Sequence, residues 1–241
     1  MWLRNLRKKI IPDYAVIPFL LCGIGQVSAF YLVRFVNRLI YGPFEGYYDM
    51  TTKFDDMLPI TPWWVLIYIF AYVFWLMSYI WVANEGKEMC CRFLTADMLG
   101  KIACAVIFVL IPTTNIRPEL PADDFARPVL EIIYFLDTPD NLFPSMHCSV
   151  SWFAVRYVTK CQKIPVWYKI ASWVITFAIF FSVLFTKQHV IADVIGGALV
   201  AEICVWIGEK TNLHKYYLRT EAIVGRFYER IEQRKNRKAE R

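Results

Sequence analysis

Two histidines in the second half of the chain have neighbours that could support acid–base or nucleophilic chemistry. His147 follows Pro144, Ser145 and Met146, where a polar loop ends and an apolar run begins. Ser145 is suited to cap a helix that starts here, and the free amides of a helix N-terminus bind anions. We expect His147 to lie in the first turn of that helix, beside a bound anion such as phosphate, where its imidazole could donate or accept a proton.

The second histidine has a carboxylate one helical turn away. His189 and Asp193 are four residues apart, so on a helix their side chains share a face. A carboxylate in that position can hold one tautomer of the imidazole and increase its basicity. The chain has three histidines in total, and His147 and His189 are two of them. We therefore predict that His147, His189 and Asp193 are the catalytic residues.

The elements that must position these residues are predicted to be transmembrane helices. The chain has 241 residues, of which 57% are hydrophobic, and its mean hydropathy of +0.37 is too high for a typical soluble domain. The apolar runs predict an all-α integral membrane protein built as a bundle of six transmembrane helices. The predicted helices cover residues 14–33, 61–84, about 93–114, 145–158, 170–185 and 190–207.

This pattern divides the chain into three regions. Residues 1–13 form a basic N-terminus, residues 14–208 form the membrane catalytic domain with its core motifs at 110–197, and residues 209–241 form a basic tail. The tail has ten Lys and Arg and a rough apolar stripe, which predicts an amphipathic helix on the anionic lipids of the cytoplasmic leaflet. The alternative is a solvated helix that only fixes the topology. The seven cysteines lack a metal-binding spacing and are expected to be buried thiols without disulfides.

The charge distribution predicts which face of the membrane holds the site. Basic residues concentrate at both termini, in the loop between predicted helices two and three, and in the loop between predicted helices four and five. The two large remaining loops carry ten acidic residues. The positive-inside rule then makes both termini cytoplasmic, in a multi-pass protein of the cell membrane. Arg117, His147 and His189 lie on the outer face in this topology. The 42 residues from His147 to His189 fit two crossings of about 20 residues each, which return the chain to the same level.

These stretches resemble the type 2 phosphatidic acid phosphatase / vanadium haloperoxidase superfamily, in its branch of integral-membrane lipid phosphatases. The family signature has three parts: Lys, six residues and Arg-Pro; Pro-Ser-Gly-His; and Ser-Arg, five residues, His, three residues and Asp. The chain matches these parts at Arg117-Pro118, at Pro144-Ser145 with His147, and at Ser182, His189 and Asp193. The departures are Leu110, Met146 and Val183, which stand where the family has its Lys, its Gly and its second Arg.

The resemblance implies a role for each catalytic residue. His189 would attack phosphorus and form a phosphohistidine, and Asp193 would orient His189 and stabilise its positive charge. His147 would protonate the leaving group and then activate the acceptor. No metal or other cofactor is implied.

The resemblance also implies the residues that bind phosphate. Arg117, Ser145, Met146 and Lys187 would hold its oxygens, with Lys187 replacing the Arg that the family has at Val183. Arg127-Pro128 is a second Arg-Pro pair, but Arg117 directly follows the third predicted helix. Arg117 could instead pair with a loop carboxylate, and Lys187 could instead be a lysine that reaches the membrane surface.

Three functions are compatible with this resemblance. We expect a lipid phosphatase that acts on phosphatidic acid, phosphatidylglycerol phosphate or a polyprenyl diphosphate. The first alternative is a head-group phosphotransferase similar to the inositol phosphorylceramide and sphingomyelin synthases, which would use an alcohol as acceptor. The second is a non-enzymatic lipid transporter or scaffold with the same fold. The expected partners are the lipid substrate, the bilayer and anionic lipids at the tail; nucleic acid is not expected, and the oligomeric state is open.

Overall fold

The computed structural model describes residues 10–42, 44 and 46–219, and within them the chain is almost entirely helical. The predictions for residues 1–9 and for the tail after residue 219 lie outside the described residues. The helices are α1 (Asp13–Val27), α2 (Val33–Tyr41), α3 (Lys53–Met57), α4 (Val65–Glu85), α5 (Lys87–Leu110), α6 (Arg127–Leu136), α7 (Met146–Lys160), α8 (Val166–Phe185) and α9 (Ile191–Lys210). Two short strands, β1 (Tyr48–Asp49) and β2 (Thr113–Thr114), pair in parallel.

Five helical segments in the described part of the chain are long and apolar enough to span a membrane. They are Asp13–Tyr41, Pro62–Glu85, Lys87–Leu110, Val166–Phe185 and Ile191–Lys210. The first comprises α1, α2 and the π-helical turn Ser28–Leu32 that joins them. The predicted helical membrane bundle is thus confirmed, whereas the count of six is not. Helix α7, the fourth predicted span, has 15 residues, or about 22 Å, against a bilayer core of about 30 Å.

Helix α7 occupies the centre of the bundle. It packs against α4, α5, α8 and α9, and most of its residues are buried. A helix enclosed by others can carry polar side chains that a lipid-facing helix would not. Arg156 forms a two-pronged ion pair with Glu202 of α9, with both N–O distances at 2.9 Å, and Trp152 donates to the same carboxylate. These contacts fix α7, and with it His147, relative to α9.

The predicted site residues lie at one end of the bundle, which we call the site end. It is formed by the segments 42–61, 111–145 and 186–190, which connect the long helices there. The β1–β2 pairing joins the first two segments, and the Thr61 N–H donates to the Phe185 carbonyl at 2.9 Å. Helix α6 lies in the second segment. The His147-to-His189 spacing therefore returns the chain to one level, as predicted.

Two glycines allow α7 and α9 to approach closely at the site end. A Cβ on Gly197 would overlap the carbonyl oxygen of Ser145, and a Cβ on Gly196 would overlap the ring of Phe143. The Ser149 hydroxyl also donates to the Gly197 carbonyl at 2.9 Å. Without a side chain at these two positions, neighbouring backbone and side chains can pack directly against α9.

Replacing Gly197 with Ala should destabilise the protein. The added methyl group would meet backbone rather than a flexible side chain, so the α7–α9 contact would have to open, at a cost of about 1–3 kcal/mol. Thermal unfolding in detergent measures the effect. Gly23→Ala is the matched control, because a Cβ there meets nothing within 4 Å and Ala is the better helix former. Equal melting temperatures for Gly197→Ala and Gly23→Ala would refute this role.

Candidate active site

His189 and Asp193 form a hydrogen-bonded pair at the start of α9. Asp193 Oδ2 lies 3.1 Å from His189 Nδ1 and accepts the Val190 N–H at 3.0 Å. The carboxylate is fully buried, so it serves both as the cap of α9 and as the partner of the imidazole. With the proton of His189 on Nδ1, facing Asp193, the lone pair of Nε2 is free to attack an electrophile. This pairing is the one that the four-residue spacing predicts.

A carboxylate from a distant segment also holds the start of α9. Asp55, in α3, accepts the Ile191 N–H at 2.7 Å through Oδ1 and is 4% exposed. Its other oxygen accepts from the backbone and hydroxyl of Thr52 in a capping box. Sequence reasoning treated Asp55 only as an acidic loop residue. The Thr52-x-x-Asp55 spacing is the signal that could have marked it as structurally engaged.

His147 lies in the first turn of α7 against an aromatic wall from α4. Its ring centroid is 4.4 Å from that of Tyr68 and 5.4 Å from that of Trp75. The Tyr72 hydroxyl is 3.5 Å from His147 Nε2. The ring centroids of His147 and His189 are 6.1 Å apart. The two imidazoles therefore lie close together. The aromatic rings of α4 pack against His147, and Asp193 holds His189.

Ser145 joins the two histidine motifs. Its Oγ accepts the Cys148 N–H at 3.3 Å, which confirms the predicted cap of α7. Its own N–H donates to the Asp193 carbonyl at 3.0 Å, and the residue is fully buried. The Ser145 amide, predicted as a phosphate donor, is thus engaged in positioning Asp193, and a phosphate contact from this residue would have to come from the hydroxyl. Met146 has the first helical N–H of α7, a position without an intrahelical partner, and it borders the cavity described next.

A cavity of about 610 Å³, which we call the larger cavity, reaches both histidines. Its walls are mainly apolar and come from α1, α4 and the start of α7, including Phe19, Val27 and Leu76. Its polar groups are few; they include Asp137 and Gln188 near the histidines, and Tyr79 and Lys101 farther along α4 and α5. An apolar chamber with a polar end is suited to a molecule with a hydrocarbon chain and a reactive head group.

Arg117 approaches the site from behind another side chain. One of its terminal nitrogens donates to Gln188 Oε1 at 2.5 Å, the other donates to the Tyr134 carbonyl at 3.2 Å, and the guanidinium lies 4.3 Å from the Tyr134 ring centroid. Burial lowers the pKa of Arg117, and the Asp137 carboxylate opposes that shift. The larger cavity is bordered by Gln188 and not by Arg117. Direct phosphate binding by Arg117 stays a prediction.

Lys187 borders a different cavity from the one that His147 borders. Its Nζ donates to the Asp55 carbonyl at 2.6 Å, and its backbone φ is +52°. It lines a second cavity of about 370 Å³ together with Asp56, Asn115 and His189. His189 borders both cavities, so Lys187 lies on the other side of the predicted nucleophile. Its replacement of the lost family Arg stays a prediction.

If Lys187 assists turnover, Lys187→Ala should reduce kcat/KM for an anionic substrate by about 10–100-fold, the usual range for one charged hydrogen bond. Lys187→Arg should restore much of the loss. Burial lowers the pKa of Lys187, so activity that needs its ammonium should fall at a pH below the ordinary lysine pKa of 10.5. That alkaline fall should be absent in Lys187→Ala. Near-normal turnover in Lys187→Ala, judged beside the exposed-site control Lys163→Ala, would remove Lys187 from the site.

Two arginines that the sequence placed in an outer loop hold the segment before α7. Arg34 contacts Asp140 through Nε at 2.5 Å and Asp137 at 3.3 Å, and Arg38 contacts Asp140 at 3.0 Å. Asp137 also accepts from the Tyr68 hydroxyl at 3.1 Å. The four-residue spacing of the arginines on one helix face was the available signal. The network fixes residues 137–143, which lead directly into the His147 turn.

No group of three or more His, Cys, Asp or Glu side chains is arranged to hold a metal ion in the part of the chain that the structure describes. The seven cysteines are buried free thiols, as predicted. Thr113, noted in the sequence only as a polar residue near the mouth, accepts the N–H groups of Leu142 and Phe143 at 3.1 and 2.7 Å. It therefore supports the loop that carries the His147 motif.

The part of the chain that holds both histidines resembles a known protein family. A model of the PAP2 superfamily matches residues 136–207. Over this part, the chain is similar to the PAP2 superfamily. The match begins at the end of α6 and includes His147, His189 and Asp193, while Arg117 precedes it. The match supports the resemblance to the type 2 phosphatidic acid phosphatase superfamily, and with it a phosphatase-type activity in general. No curated protein and no solved structure matches the chain.

Proposed function

We propose that this protein is a lipid phosphatase that hydrolyses a lipid phosphate monoester or diphosphate through a phosphohistidine. The observation that carries the proposal is the pair of imidazoles, 6.1 Å apart, at the polar end of an apolar cavity of about 610 Å³. Attack needs a nitrogen about 3–3.5 Å from phosphorus, and proton transfer needs a second nitrogen about 3 Å from the leaving oxygen. Two imidazoles this close together can contact one phosphoryl group, one at phosphorus and the other at the leaving oxygen.

The first half of the reaction transfers the phosphoryl group to His189. Nε2 attacks phosphorus while the bond to the lipid oxygen breaks, and His147 donates a proton to that departing oxygen. Asp193 holds Nδ1 of His189 and offsets the positive charge that develops on the ring. In the second half, His147 takes a proton from water, the water oxygen attacks phosphorus, and the bond to His189 breaks to release phosphate.

The surrounding residues favour an anionic group beside His189. Two donors lie on different sides of His189. The first N–H of α7, on Met146, borders the larger cavity, and the ammonium of Lys187 borders the second cavity. Ser145 supports this arrangement by holding the Asp193 backbone. Arg117 supports it through its hydrogen bond to Gln188. In the proposed site, these groups take the place of the Lys and the Arg that the family has at the positions of Leu110 and Val183.

We also propose that the site end faces the outside of the cell and that both termini are cytoplasmic. The opposite end of the described bundle carries Lys87, Arg92, Lys163 and Lys215, consistent with the positive-inside rule. A basic tail on anionic lipids would belong to the same face. Chemical labelling of single cysteines placed in residues 42–61 or 161–165, in intact cells against permeabilised cells, tests the orientation.

Phosphate release from a panel of lipid phosphates, in detergent with a chelator present, tests the activity. Wild type should release phosphate, and His189→Ala should not. His214→Ala is the control, because this buried histidine lies at the opposite end of the bundle. Equal release by all three proteins would refute a nucleophilic role for His189. Release by none would refute the phosphatase and leave the second candidate.

The second candidate is a head-group phosphotransferase, and the charges around the larger cavity favour it. Besides the histidines, the ionised side chains among the described lining residues are Lys101, Asp137 and Asp140, and Lys101 pairs with Asp97 at 2.6 Å. Arg34 and Arg38 pair with the two carboxylates, so these described lining residues include no unpaired cation, and a singly charged phosphodiester needs less compensation than a doubly charged phosphate monoester. Transfer of a labelled head group from a phosphodiester lipid to an added alcohol, without phosphate release, would identify this activity.

A further inference from the structure

Gln188 is a buried amide beside the predicted nucleophile, and sequence reasoning gave it no role. It precedes His189 in the connection between α8 and α9, it is 2% exposed, and it borders the larger cavity. Its Oε1 accepts from Arg117 at 2.5 Å. Its Nε2 is buried without a hydrogen-bond partner among the residues that the structure describes. A buried donor without a partner is uncommon and marks a place where a ligand can bind.

The orientation of this amide follows from the chemistry of its partner. A guanidinium has only donors, so the atom facing Arg117 must be the carbonyl oxygen of the Gln188 side chain. The amide nitrogen must then point away from Arg117. The backbone around it is also fixed, because the N–H groups of Gln188 and His189 both donate to the Val183 carbonyl at 3.0 Å. The contact with Arg117 and the fixed backbone thus hold the amide in one orientation, on a residue that borders the larger cavity.

We propose that Gln188 Nε2 donates a hydrogen bond to a non-bridging oxygen of the phosphoryl group while that group is transferred to and from His189. The proposal rests on the proposed function and adds a catalytic contact to it. Arg117 is a positioning residue in this scheme: its charge fixes and polarises the amide, as in chains of cooperative hydrogen bonds. The family's second Arg is absent here, since Val183 is fully buried and apolar, so a neutral donor backed by a cation takes over that contact.

Two substitutions at Gln188 separate a catalytic donor from a structural amide. Gln188→Glu keeps the length and the oxygen that Arg117 needs but replaces the donor with a carboxylate, and Gln188→Met removes both groups at similar volume. Loss of one such donor lowers kcat by about 10²–10³-fold in other enzymes, and we expect a loss of this size in both variants with a smaller change in KM. Inhibition by orthovanadate, which mimics the five-coordinate phosphorus, should weaken in parallel. Gln162→Glu, an exposed amide at the opposite end, is the control.

Arg117→Ala, alone and combined with Gln188→Met, tests the positioning role. If Arg117 acts through Gln188, Arg117→Ala should lower kcat in the wild-type background and have little further effect in Gln188→Met. Losses that multiply would overturn the positioning role. Wild-type kcat and orthovanadate inhibition in a folded Gln188→Glu or Gln188→Met variant would overturn the proposal while leaving the phosphatase intact. A wild type that releases no phosphate from any lipid would overturn both.

Discussion

Asp193→Asn should lower kcat for lipid phosphate hydrolysis by about 10³–10⁴-fold while leaving the protein folded. Asp193 is the buried partner of His189 Nδ1, at 3.1 Å, and its charge stabilises the imidazolium that forms when Nε2 bonds to phosphorus. Asn has nearly the same shape but no charge, and its amide can hold the wrong tautomer of the imidazole. The analogous substitution in the serine protease triad has an effect of about this size. Steady-state phosphate release at saturating lipid measures it.

The same carboxylate caps α9, so its loss has a structural component that must be separated from catalysis. The side-chain oxygen of Asn can accept the Val190 N–H nearly as well as the Asp carboxylate does, so the melting temperature should fall only slightly. Asp123→Asn, an exposed acid in the loop after β2, is the control for an added amide. A folded Asp193→Asn protein with kcat within about tenfold of wild type would contradict the role of Asp193 and point to a structural cap alone.

The pairing of His189 with Asp193 could be predicted because it is local. A separation of four residues at the start of a helix leaves the two side chains few possible arrangements other than contact. The start of α7 is similarly local, because Ser145 caps it. The return of His147 and His189 to one level followed from the distance that two membrane crossings require. The helical membrane fold, including the short α7, followed from apolar runs, but the central position of α7 did not, because the composition of a helix does not tell which other helices surround it.

The contacts that complete the site could not be predicted, because they join distant segments through loops. Asp55 reaches Ile191 across 136 positions, and Arg117 reaches Gln188 across 71. No periodicity fixes the path of a loop, so a charged residue there is compatible with solvent, an ion pair or a ligand. For the same reason, the sequence could not predict that Lys187 borders the second cavity and not the cavity that His147 borders. The site end is therefore where the structure adds most to the sequence.

The variant His147→Ala should separate the two halves of the reaction when it is tested with two substrates that differ in their leaving group. With a lipid phosphate, the departing alkoxide needs a proton from His147, and its loss should lower kcat by about 10²–10⁴-fold. An aryl phosphate has a leaving oxygen that departs without protonation, so His189 should still be phosphorylated. The second half, in which His147 activates water, should then become rate-limiting. We expect a burst of phenol equal to about one per enzyme, followed by slow turnover.

The trapped protein provides the decisive measurement, because a phosphohistidine is stable in base and labile in acid. Alkaline quenching of His147→Ala with labelled aryl phosphate should retain label on the protein, and the double variant His147→Ala/His189→Ala should retain none. Tyr72→Phe is the control: its hydroxyl is 3.5 Å from His147 Nε2, a weak contact, and its removal should change either rate only slightly. Equal losses with lipid and aryl substrates, with no burst and no label, would mean that His147 positions the substrate and does not move the proton. A burst that depends on His189 would assign attack to His189 and proton transfer to His147, whose rings are 6.1 Å apart and belong to different segments of the chain.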